Sequence, residues 1–320
     1  MQIENIALRY APKNTVNKQL FDLTEICKNR SNAYFFAEVR NRLSTLNNAI
    51  VGENLNNRTF NNGLKAAIGL IGEYGLIGYT VRQAQAIIRT DKTPSYWSHR
   101  FMFHDEVPAN PDDILRKQTS PIIWESTIDL ASETPQLNMI NGVSSRYLKD
   151  YCNHKFDIFN PHCVPNVAII VFALNEDEIQ KIISHATDPN VDQLKYDFSG
   201  LIGTWLSYIF KRQNEENPLG AGNALYCSAY CQLAYDAIGL DLATGSHSRN
   251  TSPENIWQSV KKLYSDYFNI GFPVAGFYCI RDPYCEMIPS NVKEEEFSTS
   301  LEKITKRILD KNKQKLKNRD

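Results

Sequence analysis

Four short β-rich runs set the strongest limit on what this chain can fold into: Trp97 to His104, Pro121 to Ile128, Val167 to Leu174 and Gly276 to Arg281. Each is rich in branched and aromatic residues and short enough to be one strand. Helical patterns lie between them. Asn175 followed by Glu176, Asp177 and Glu178 gives an Asn cap and an acidic first turn for a helix running to about Ala186. A second helix is expected from about Cys227 to Ile238, stopping at Gly239. Ser252-Pro253-Glu254 opens a third, with Ser as cap and Pro at the first helical position. Thr299 and Glu302 have the spacing of a capping box and predict a last helix. Strands and helices mix without strict alternation, which places the chain in the α+β class.

The first part of the chain has a different texture. Lys18 to Lys28 and Ala33 to Leu46 carry apolar residues at three- and four-residue spacings, and read as helices. An Asn-rich stretch from Asn47 to Asn62 reads as a loop. The apolar segment Leu64 to Ile71 then leads into Gly72, Gly75 and Gly78, which predict turns. The expected division is a helical N-terminal appendage over 1–75, a main domain over 76–290 and a C-terminal basic helix over 291–320. The junction from Gly72 to Gly78 is too short and apolar for a free linker, so the appendage is expected to border the main domain's cleft.

Bulk properties exclude several classes. The chain has 320 residues, 42% hydrophobic and 22% charged, with a formal net charge of -1. That balance gives no reason to expect a nucleic-acid or anionic-membrane partner. From Glu302 to Asp320 eight basic residues stand against three acidic ones, the pattern of a solvated amphipathic helix. No stretch reaches the ~18 apolar residues of a membrane helix, and the start shows no basic segment followed by an apolar run. A cytoplasmic chain is expected. Its seven cysteines, an odd count, read as free thiols in a reducing compartment.

Three residues stand out as candidates for chemistry. Cys227 follows a Gly-rich loop, Asn217 to Tyr226, and falls at a helix start. Unpaired N–H groups and the helix dipole favour a thiolate there, and the same groups can bind an oxyanion. The alternative is a buried structural cysteine, as expected for Cys231 one turn further on. A thiolate nucleophile needs a base and a group to orient it. His99 shares one face of a strand with Phe101 and Phe103, a face that can look toward a helix packed on the sheet, while His104 points away. Glu125 lies between Trp124 and Ser126 in a strand-like run, where a carboxylate is costly unless an imidazole or another partner meets it. The alternatives are a satisfied core histidine and an edge-strand glutamate facing water. Cys152, His154, His162 and Cys163 offer four zinc-type ligands, but their spacing fits no familiar zinc pattern. No phosphate-cradling or Gly-x-Ser-x-Gly motif is present, and no metal or cofactor is expected.

The order of these residues resembles a known family. Thr93 to His99, Ile122 to Ser126, Lys195 to Phe198, Tyr226 to Ser228 with Ala234 to Leu242, and Ser252 to Ser259 are similar, in that order, to landmarks of the circularly permuted NlpC/P60-like papain-fold group, YiiX-like branch. Ala229 stands where a Glu is common in that group. The similarity spans roughly residues 75–281. It implies a papain-like core, an antiparallel sheet packed against the nucleophile helix, and a triad of Cys227, His99 and Glu125. It further implies a hydrolase or acyltransferase acting on amide, ester or thioester carbonyls, with small peptide, acyl or lipid-like substrates. A catalytically silent binding module on the same fold, or an adaptor built around the N-terminal helices, are the competing expectations.

Overall fold

The computed structural model describes residues 18–49, 57–74, 76–128, 141–155, 163–188, 227–243, 250–262 and 272–284. The expected C-terminal helix, the Lys195 to Phe198 landmark, the Gly-rich approach to Cys227, His162 and Cys285 lie outside the described residues. Elements are numbered here in chain order among those described.

The strands are β1 (Lys18–Asp22), β2 (Thr59–Phe60), β3 (Ile68–Gly72), β4 (His99–Phe103), β5 (Ile122–Ile128), β6 (Asn141–Tyr147), β7 (Asn166–Leu174) and β8 (Val274–Ile280). They form one sheet in the order β1-β8-β7-β3-β4-β5-β6, with β2 added to the end of β7. Every pairing is antiparallel except β1 with β8, which is parallel. The class is α+β as expected, but the sheet is mixed.

The helices are α1 (Thr24–Cys27), α2 (Asn32–Ala49), α3 (Leu76–Ala84), α4 (Pro111–Leu115), α5 (Glu176–Ala186), α6 (Cys227–Asp236) and α7 (Pro253–Lys262). A 3-10 turn, Leu148–Tyr151, follows β6. Helices cover both faces of the sheet. Phe35, Phe36 and Val39 of α2 pack with Phe101, Ile123 and Phe277 on one face. Ile182 of α5, Tyr230 and Tyr235 of α6 and Trp257 of α7 pack with Met102, Ile170 and Val274 on the other. Burial on both faces explains why β7 is a continuous apolar run without alternation.

The segment read as a helical appendage is part of this sheet. Lys18 to Lys28 is not one helix: β1 comes first, then the short α1. The apolar spacing there serves pairing with β8, which a helical reading of the local pattern could not anticipate. Leu64 to Ile71 supplies β3, between β7 and β4 near the sheet's centre. A boundary at residue 75 therefore cuts through the sheet. Arg281, just past β8, binds the first helices to it. Its guanidinium donates to the carbonyls of Cys27, Arg30 and Pro165 and to Asn32 Oδ1.

Candidate active site

The site is built on β4 and β5. Phe103 pairs with Ile123 and Met102 with Trp124, so alternation puts His99, Phe101, Ile123 and Glu125 on the face covered by α2. Gly69 makes room for this arrangement. A Cβ there would lie 2.3 Å from Phe101 Cζ, so only glycine lets the Phe101 ring lie over β3.

His99 Nε2 lies 2.7 Å from Glu125 Oε2. Glu125 is fully buried, and two further groups meet it. Tyr151 Oη donates to the same Oε2 at 2.6 Å. Arg146 Nε, on β6, stands 2.8 Å from Oε1 as an ion pair, off the hydrogen-bonding direction. Burial pushes the Glu125 carboxyl up, but His99, Arg146 and Tyr151 together outweigh it and hold the group below the ordinary glutamate range. Burial and then the Glu125 charge push the Tyr151 phenol well above its ordinary value, so it keeps its proton. An ionised Oε2 only accepts, so the Nε2 of a neutral His99 carries the hydrogen and Nδ1 carries the lone pair. The His99 side chain retains 11% of its exposure and Arg146 19%, so the cluster lies close to the surface.

Cys227 opens α6, as its sequence setting predicts; its side chain lies outside the described residues. The course of α6 is defined by two hydrogen bonds. Tyr235 Oη donates to the carbonyl of Ala66, whose N–H donates to Phe103 O at the end of β4. Tyr230 Oη donates at 3.2 Å to Ala186 O, the last residue of α5. Tyr235 thus stands near the Phe103 end of β4, and Cys227, eight residues earlier, lies about 12 Å from it along the helix axis. The buried side chains of α6, Tyr230, Cys231, Ala234 and Tyr235, pack on the sheet face opposite His99. The helix and the dyad lie on different faces of the sheet.

The remaining candidates are placed as follows. Cys231 is fully buried. His104 lies beyond β4, with Nδ1 2.8 Å from Asp105 Oδ1 and its ring beside Trp124. Cys152 and Cys163 are buried, and burial pushes the Cys163 thiol up to about 12. Burial, then Arg281 and Lys155, bring His154 down to about 4. Among the described residues no three His, Cys, Asp or Glu side chains come together as a metal group. Among the described residues no helix is long and apolar enough to cross a membrane.

Sequence reasoning missed Tyr151 and Arg146. Arg146 shares the phase of Ser144 along β6, and Ser144 pairs with Glu125, so a correct register would have brought it to the site. Tyr151 sits in a 3-10 turn, where no strand or helix period applies. Comparison of the chain with protein-family models, curated proteins and solved structures finds no match.

Proposed function

We propose that this chain is a cysteine-dependent hydrolase or acyltransferase of papain-like type, acting on an amide, ester or thioester carbonyl. The observation that carries the reading is the buried His99 Nε2–Glu125 Oε2 pair at 2.7 Å, in a chain whose α6 begins with Cys227. In this mechanism His99 Nδ1 takes the Cys227 proton, and Glu125 stabilises the imidazolium that forms. The thiolate attacks the carbonyl carbon, and N–H groups at the start of α6 receive the developing oxyanion. The imidazolium then protonates the leaving group. Water or another acceptor, deprotonated by His99, releases the acyl group from sulfur. Small peptide, acyl or lipid-like substrates come with the family resemblance.

The test is intact-mass analysis and peptide mapping of the full chain after incubation with peptide, lipid and thioester acyl probes. One stable adduct on Cys227, lost in Cys227→Ala and slowed about 10²-fold or more in His99→Ala, is the expected result. Preferential labelling of Cys231 or Cys279 overturns the assignment. The packing of α6 on the face opposite His99 favours a second reading, a catalytically silent binding module. That reading expects ligand retention without any covalent adduct.

A further inference from the structure

Glu125 Oε2 receives two donors at once, and one of them is not part of the proposed triad. We propose that Tyr151 is a positioning residue for the base: it shares Glu125 Oε2 with His99 and so limits how strongly that carboxylate raises the basicity of the imidazole. The inference rests on the reading of His99 as base and adds the group that tunes it.

Tyr151 is aimed at Glu125 from both ends. Its ring stacks on Phe101 with centroids 5.4 Å apart and planes 6° from parallel. Phe101 in turn occupies the space that a side chain on Gly69 would fill. The backbone carbonyl of Tyr151 accepts a 2.9 Å hydrogen bond from Asn32 Nδ2, and Asn32 Oδ1 accepts from Arg281 at 2.7 Å. The hydroxyl therefore has little freedom to leave Oε2. Because the phenol keeps its proton, it acts there as a donor.

The charged and titratable groups around the pair come from several elements. His99 comes from β4, Glu125 from β5, Arg146 from β6 and Tyr151 from the 3-10 turn. Glu73, just past β3, acts on Tyr151 through its charge. From α2, which covers this face, the cluster receives the apolar Phe35 and Phe36. A carboxylate oxygen that divides its charge between two donors holds each less tightly than one serving a single donor. Removing the phenolic hydroxyl leaves Oε2 to His99 alone. The imidazolium form gains, and His99 must titrate at higher pH.

The experiment is an NMR titration of the histidine Hε1–Cε1 signals in the full chain and in Tyr151→Phe, which keeps the stacked ring. The His99 signal is identified by its loss in His99→Gln. The expected result is an upward movement of the His99 midpoint by about half to one pH unit, with the acid limb of Cys227 alkylation moving equally. A purely structural role lowers the urea midpoint without moving the titration. Coincident His99 curves in parent and variant overturn the proposal. Phe101→Leu removes the platform and keeps the hydroxyl; it gives a smaller movement in the same direction if the positioning is real, and none if it is not. A His99 midpoint that moves in a protein whose Cys227 never alkylates supports the Tyr151 coupling and sinks the nucleophile assignment instead.

Discussion

Two fully buried glutamates, on opposite faces of the sheet, are held in opposite electrostatic states. Glu125 faces the imidazole of His99, the guanidinium of Arg146 and the hydroxyl of Tyr151, and its carboxyl lies below the ordinary range. Glu254, in the first turn of α7, is met by the hydroxyl of Ser95 and the amide of Gln258. Arg89 stands 3.8 Å from it but is drawn closer to Asp91, at 2.7 Å. Burial wins there over Ser95, Gln258, Arg89 and Lys261, and the Glu254 carboxyl is raised. The burial is alike; the partners differ. Neutral donors satisfy a carboxylate's hydrogen-bonding capacity without replacing the solvation of its charge, whereas a cation close to the oxygens offsets that charge directly. A buried acid close to cations is therefore the better candidate for a working charge, and the one among neutral donors for a structural tie between Ser95 and α7.

The comparison predicts its largest contrast in truncation. Glu125→Ala leaves Arg146 and the proton-bearing His99 and Tyr151 facing a void, and should cost about 3–5 kcal/mol in urea unfolding. A loss below about 1 kcal/mol would show that the ionic cluster contributes little. Next in size is Gly69→Ala. Its methyl group would collide with Phe101 and shift the Tyr151 platform, costing about 1–3 kcal/mol and disturbing the Glu125 side alone. A variant with parent stability and an unmoved His99 titration would disprove the link from Gly69 to the dyad.

The smallest effects are the most discriminating, because their signs differ. Glu125 has a lowered folded value. Its contribution is fully present above the ordinary glutamate value and is lost as pH falls through the folded value, so stability rises with pH in that window. Glu254 has a raised folded value. Its contribution is fully present below the ordinary value and is lost as pH rises through the folded value, so stability falls with pH there. Urea midpoints between pH 3 and pH 7 should show Glu125→Gln removing acid sensitivity. Glu254→Gln should remove the decline above the ordinary value and change neutral-pH stability by less than about 1 kcal/mol. Parallel profiles for the two variants would refute the distinction.

The two glutamates also differ in how far they could be read from the sequence. Glu125 stood out because a carboxylate in Ile-Ile-Trp-Glu needs a partner, and period two placed His99 on a face that could supply one. Strand β7 and the Asn175 cap of α5 were equally legible, and the structure completes that cap as a capping box with Glu178. Glu254 looked like an ordinary first-turn acid, because nothing local reveals that Ser95, 159 residues away, closes over it. The strand β1 was hidden for the same reason. Leu20, Phe21 and Leu23 suit a helix or a strand, and only pairing with β8 decides between them. Arg146 and Tyr151 required the β5–β6 register and the turn after it, which residue patterns alone do not specify.

The position of β8 bears on the order in which the molecule can assemble. It lies between β1 and β7, and among the described strands it is the only partner of β1. The bond from Ile280 N–H to Thr24 Oγ1 joins residues 256 apart. During synthesis at roughly 5–20 residues per second, β1 and α1 therefore wait on the order of ten seconds or more before their template exists. Closing so distant a pair comes late and slowly, because the chain entropy is lost before the contact is gained. Until then Leu20 and Phe21 remain uncovered, and the nascent chain passes through a stage in which β1, the first of the described strands, is a natural target for chaperones and for misassembly.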